Sequence, residues 1–152
     1  MARFKPQVGM GQVYLDANAE AVRRGDRKVG TEHVLLALLG DPGSVTGQAL
    51  GVSLIEAREV LERLDRDALA SVGVQAAYAG PVFPGREDDR LPLTPAAKTV
   101  FTGLRTQAGR DRIGVHHVLL GLLARTGPDP AAVLLDALGV ERPAVRARLG
   151  QG

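Results

Sequence analysis

The chain has 152 residues, 45% hydrophobic and 24% charged, with a formal net charge of +2 and no cysteine. Those values suit a globular domain of ordinary size, one that buries roughly 70% of the surface its unfolded chain exposes. They exclude disulfides, thiol chemistry and cysteine-based zinc sites, and aromatics at 3% leave no stacking platform for single-stranded nucleic acid. The core must be built from Leu, Val and Ala. Charges of both signs alternate along the chain, so no basic stripe marks a DNA footprint. The opening MARFKPQVGMGQVYLDA lacks the apolar stretch of a signal peptide. Apolar runs such as Val34–Leu39 fall far short of the roughly 20 residues a membrane span requires. A cytoplasmic protein with no membrane or nucleic-acid partner is expected.

In chain order, residues 12–24 carry Val13, Ala17, Ala21 and Val22 at near-helical spacing, and Gly25-Asp26 stops that helix. Thr31 is the expected N-cap of a second helix running to about Leu39, with Glu32 in its first turn. Gly40-Asp41-Pro42-Gly43 breaks it, and a short helix follows over about Val45–Leu50. Ser53 with Glu56 forms a capping box that opens a helix to about Leu69, buried through Leu54, Ala57, Val60, Leu61 and Leu64. Residues 71–92 are rich in Gly, Pro and charge and read as a linker, with Val82-Phe83 either tucked on the surface or offered to a partner. Thr94-Pro95 then caps a helix through Val100, Phe101 and Leu104 to about Gly109. Another covers about Val115–Ala124. Asp129-Pro130 caps a third, ending before Gly139, and Pro143 sits in the first turn of the last, to about Leu149.

The chain repeats itself. Residues 29–39, VGTEHVLLALL, match residues 113–123, IGVHHVLLGLL, at seven of eleven positions with a constant offset of 84. Leu50-Gly51-Val52 is echoed by Leu138-Gly139-Val140. A period of this kind decides architecture before any other signal. The expected fold is all-α: two pseudo-symmetric four-helix repeats, residues 1–70 and 93–152, joined by the linker 71–92 and packed as one eight-helix domain.

The repeated G-T-E-H-[hydrophobic]-L-L-x-L-L core resembles the N-terminal domain of Clp/Hsp100 ATPases of the ClpC and ClpA type. LTPAAKTVF resembles that family's F-T-P-R-A-K-K-V, and AAVLLDALGVERPAVRARL resembles its A-x-x-L-x-x-L-G segment ending in V-R. The family's ATPase rings would follow here. This chain carries no G-x-x-x-x-G-K-[ST] phosphate loop and is expected to be a free-standing, non-enzymatic version without cofactor. The resemblance implies protein or peptide ligands: phosphoarginine proteins, Clp-targeting cyclic-peptide antibiotics, and components of the Clp ATPase and protease. Binding would modulate the protease or sequester its ligands. The alternative is a nucleic-acid-binding helical regulator, since short helices and many arginines imitate helix-turn-helix proteins.

By the same resemblance Glu32 matches the carboxylate that reads a phosphoarginine guanidinium, a group suited to paired bonds from a carboxylate. Thr94 and Lys98 match a phosphate seat at a helix N-terminus. Leu93 stands where the family has an aromatic, which removes part of the hydrophobic anchor for cyclic peptides, and the surface near Leu93 and Phe101 is the expected apolar contact for a decoy or adaptor role. These five, Glu32, Leu93, Thr94, Lys98 and Phe101, are the expected ligand-binding residues. Three departures limit the transfer: His116 replaces the second repeat's Glu, KPQVGM replaces the N-terminal F-T-x-R-A, and Leu93 replaces the aromatic. At most one phosphoarginine site is expected. His33 and His117 are expected to be structural, bonded between helices. His116 and His117, about 100° apart on a helix, should not share a site, and no catalytic or metal-binding spacing occurs.

Overall fold

The computed structural model describes residues 9–73 and 90–150. Most of the expected linker, Val82-Phe83 included, lies outside them. The elements are α1 (Met10–Arg24), α2 (Thr31–Leu38), α3 (Val45–Leu50), α4 (Leu54–Ser71), α5 (Pro95–Thr102), α6 (Leu104–Ala108), α7 (Val115–Leu123), α8 (Pro130–Ala137) and α9 (Arg142–Gly150). Among the described residues there is no strand, and one isolated parallel bridge pairs Val29 with Leu93. The helix expected over 94–109 divides at Gly103, so among the described residues that one expected helix is two short segments, α5 and α6, and the two-repeat helical plan stands otherwise as expected. Glycine is the poorest helix former after proline.

The internal echo is visible in the backbone. Gly51 and Gly139 close the third helix of each repeat with φ of 69° and 71°, the left-handed conformation that ends helices at little cost only for glycine. That is why Leu-Gly-Val recurs. Ser53 and Thr94 cap as expected, their hydroxyls accepting the N–H of Glu56 at 3.0 Å and of Ala97 at 3.2 Å.

The two Leu-rich helices lie at the centre. Val34, Leu35 and Leu36 of α2 and Val118, Leu119, Leu122 and Leu123 of α7 are buried, with Leu134 and Leu135 of α8 beside them. The repeats interlock: α2 packs on α7 and α8, α3 on α7 and α9, and α4 on α8. A helix covered by its own repeat and by the other has no solvent stripe. This explains why VLLALL and VLLGLL read as continuous apolar runs.

Polar ties fasten the layers. Arg58 on α4 clamps Glu20 on α1 through two bonds of 2.7 and 2.6 Å. Arg146 and Arg148 on α9 donate to Leu123 O at the end of α7 and Ala49 O near the end of α3. Cations at helix C-termini satisfy carbonyls that the helix leaves unbonded. These arginines tie one helix to another, although Arg146 and Arg148 remain exposed.

Two expected caps are corrected. Thr31 is not the N-cap of α2; Gly30 is. The Thr31 hydroxyl instead crosses to the other repeat. It donates to the Asp129 carboxylate, at 3.0 and 3.1 Å, and accepts the Ala131 N–H at 3.2 Å. Asp129 occupies the N-cap position of α8, but its side chain makes no capping bond. Thr31 from the first repeat caps α8 in its place. Both readings failed for one reason: the partner lies 98 residues away.

Candidate functional site

The chain enters its second repeat by crossing the first. Tyr14 Oη on α1 donates to Leu91 O at 2.7 Å, and Leu91 N–H donates to Asn18 Oδ1 at 2.9 Å. Val29 N–H then donates to Pro92 O at 2.8 Å, and Thr94 N–H to Val29 O at 2.9 Å. This bridge lays the entry of α2, carrying Gly30, Thr31 and Glu32, alongside the entry of α5, carrying Leu93 and Thr94. Lys98 follows one turn into α5, its N–H bonded to Thr94 O at 2.9 Å, with an exposed side chain. Leu93 and Phe101 are half-buried against the core. Leu93 and Thr94 are thus held beside the entry of α2, while Phe101 sits further along α5.

Glu32 folds back over the start of its own helix. A Cβ on Gly30 would collide with its carboxylate, so glycine there leaves room for the side chain. Its Oε1 lies 3.5 Å from His33 Nδ1 and the side chain is 19% exposed. Burial raises the Glu32 carboxyl above its ordinary value. His33 and the backbone N–H oppose that, Asp26 reinforces it, and Arg24 opposes it, but the net direction is up. Asp26 goes the other way. Burial alone would raise it, but the bond from His33 and the contact with Arg24 hold it below the usual carboxylate range.

His33 and His117 are buried, as expected of structural residues, but they do not bond between helices. Each accepts the backbone N–H of the glycine three residues earlier, Gly30 N–H to His33 Nδ1 and Gly114 N–H to His117 Nδ1, both at 2.8 Å. The imidazole therefore caps its own helix from the third position. An accepting Nδ1 places the hydrogen on Nε2, and in His33 that atom lies 2.7 Å from Asp26 Oδ2. The expected divergence of His116 and His117 is also corrected: their ring centroids are 3.9 Å apart. Both rings bend back toward Gly114, His116 covering it as Glu32 covers Gly30. Burial, then the neighbouring His117, lowers the His116 pKa against the pull of Asp111.

A second feature escaped the sequence reading. A cleft of about 600 Å³ opens between α1, the α2–α3 turn and the entry of α7. It is lined by Val13, Asp16, Ala37, Leu38, Asp41, Ser44, Val45, Arg112, Ile113, Val115 and His116 among others. Val45 and Ile113 are 59% and 36% exposed, large apolar side chains facing solvent. Its lining comes from both repeats. One signal could have pointed to it: the repeat puts Val115 where the first unit has Thr31.

The family model of the Clp repeat N-terminal domain matches residues 9–138. This chain belongs to that family. Over 144 residues, 91% of its length, it is 32% identical to the chloroplastic chaperone protein ClpC of Pisum sativum. Over 124 residues, 80% of its length, it is 33% identical to the chaperone protein ClpB of Oceanobacillus iheyensis. The chain spans 14% of the length of each of these relatives. The N-terminal domain of the caseinolytic protease associated chaperone ClpD from Arabidopsis thaliana has the same fold, with a TM-score of 0.63 at 20% identity, covering 92% of this chain and 91% of that one. The Clp repeat domain is a protein-binding module, and this chain has the form of that domain. No described helix is long and apolar enough to cross a membrane.

Proposed function

We propose that this Clp repeat domain binds protein segments or peptides and thereby modulates a Clp-type protease or sequesters its ligands. The ligand site is the crossing of the repeats, with Glu32 as the carboxylate for a guanidinium and Thr94 and Lys98 as the seat for its phosphate. Leu93 and Phe101 border it and supply apolar contact for cyclic peptides. The bridge between Val29 and Leu93 carries this reading, because it holds the acidic entry of α2 beside the N-terminus of α5. A carboxylate beside a helix N-terminus and a lysine matches the two ends of phosphoarginine. The pseudo-equivalent position has His116, which its lowered pKa keeps neutral, so one phosphoarginine per chain is expected. The absence of cysteine fits a reducing, cytoplasmic setting.

Titration with free phosphoarginine, followed by amide chemical shifts, tests this. One saturable site at the entries of α2 and α5 is expected, lost in Glu32→Ala. Two equivalent sites, or none, would refute it.

A further inference from the structure

The two repeats place equivalent residues at equivalent sites, and one pair differs. Asp129 and Ser44 are each the N-cap residue of the third helix of their repeat. Thr31 and Val115 each open the second helix. In one half Thr31 bonds to Asp129 and to Ala131, and all three are buried. In the other half Val115 has no hydroxyl to offer. Ser44 bonds locally instead, donating to Asp41 O at 2.7 Å and accepting Gly47 N–H at 3.0 Å. The contact that closes one half is missing from the other, and the cleft lies there.

The cleft has a built chemistry. Its volume, about 600 Å³, lies within the roughly 300–1,000 Å³ of ligand pockets and holds a few side chains rather than a folded surface. Its floor and lip are aliphatic, with Val45 and Ile113 at the mouth. Its charged walls are unequal: Asp16 from α1 and Asp41 from the α2–α3 turn face a single arginine, Arg112. Asp16 Oδ1 accepts from Gln12 Nε2 at 2.8 Å, and Asp41 Oδ1 accepts the Gly43 N–H at 2.9 Å. Each carboxylate uses Oδ1 in a bond within the chain, and both residues line the cleft, where two acids stand against one arginine.

We propose that this cleft is a second docking site, taking an extended peptide segment in which aliphatic residues alternate with Lys or Arg. The aliphatic side chains fill the groove between Val45 and Ile113, and the basic side chains meet Asp16 and Asp41. The proposal rests on the protein-binding character of the family and not on the Glu32 site.

Three end-blocked hexapeptides titrated against the whole chain test it: alternating leucine and lysine, leucine and glutamate, and serine and lysine. The leucine–lysine peptide is expected to bind with amide shifts at α1, the start of α3 and the start of α7. The glutamate and serine peptides are expected to bind at least about tenfold more weakly. Asp16→Asn should weaken the leucine–lysine peptide about two- to fivefold, as for an exposed ion pair. The double substitution Ser44→Asp with Val115→Thr rebuilds the contact of the other half and should close the cleft, abolishing peptide binding while phosphoarginine titration stays unchanged. If that variant does not fold, Val45→Lys at an exposed position repels the basic peptide and must give the same loss. Equal binding of the leucine–glutamate peptide, shifts confined to the Glu32 face, no binding at millimolar peptide, or a second copy of the chain covering the cleft in sedimentation would each overturn the proposal.

Discussion

At the scale of single residues, the buried histidines have the clearest consequences. His33 makes two hydrogen bonds, Gly30 N–H to Nδ1 and Nε2 to Asp26, whereas among the described residues His117 has the glycine bond alone. Removing one partner of a buried hydrogen bond costs about 1–3 kcal/mol. In urea titrations both His33→Ala and His117→Ala should lose stability in that range, His33→Ala the more. Equal losses would show that the Asp26 contact adds nothing. The two acids beside His33 should behave oppositely with pH. Asp26 has a lowered folded pKa, so its stabilisation is complete above the ordinary carboxylate value of about 3.9 and is lost as pH falls through the folded value. Asp26→Asn should therefore lower the melting temperature at neutral pH and flatten the acid limb of the stability profile. Glu32 has a raised folded pKa, so its ionised form is disfavoured by folding at neutral pH. Glu32→Gln should leave the melting temperature unchanged or slightly higher while eliminating phosphoarginine binding. In the wild type, that binding should weaken as acid is added at a pH above the ordinary glutamate range.

At the scale of elements, the contact between α2 and α8 stands apart because one hydroxyl serves two helices. Thr31→Val keeps the shape but removes both bonds. Among the described residues the Asp129 carboxylate then keeps only the Arg125 guanidinium, at 3.6 Å, and the Ala131 N–H loses its partner. A loss of about 2 kcal/mol is expected, read as a shift in the urea midpoint without change in slope. The loss should exceed that of Ser53→Ala, whose exposed cap is worth about 1 kcal/mol. The glycines that close helices follow backbone logic instead. Gly51→Ala forces a left-handed conformation on a residue with a Cβ and should cost roughly 1 kcal/mol, although among the described residues only the Arg148 side chain lies near the added methyl.

For the whole molecule, interlocking sets the expectation. α2 is covered by α7 and α8, and α3 by α7 and α9, so neither repeat can expose its second helix without stripping the other. Native-state hydrogen exchange should give the amides of Val34–Leu36 and Val118–Leu122 the same protection free energy, equal to that of global unfolding. The outer half of α4 has few buried contacts, with Ala57 and Leu61 its buried residues, and should exchange at lower cost. Different free energies for the two central helices would mean that the repeats unfold separately.

Much of this protein was legible in its residue order. Helix ends follow from local chemistry: Ser53 and Thr94 cap because their hydroxyls reach N–H groups three residues on, and Gly51 and Gly139 end helices because they lack a Cβ. The duplication was readable because an 84-residue offset needs no coordinates. Glu32, Leu93, Thr94 and Lys98 were named from the family's motifs, yet their neighbourhood was not, because the Val29–Leu93 bridge joins residues 64 apart. Thr31 was misread for the same reason. A threonine at a helix start has a good local use, and only the folded chain showed its hydroxyl turned toward Asp129. The histidine caps were missed because a glycine and the histidine three positions later form no familiar capping pair. The cleft was invisible because a cavity belongs to no residue; Val115 and Ser44 both line it, without the bond that Thr31 makes to Asp129. Short-range hydrogen bonding and side-chain period are written along the chain, so sequence by itself determined the helices and their repetition. Contacts between distant segments depend on which groups packing brings together, and tertiary structure alone decided where the two candidate sites lie and why the repeats differ.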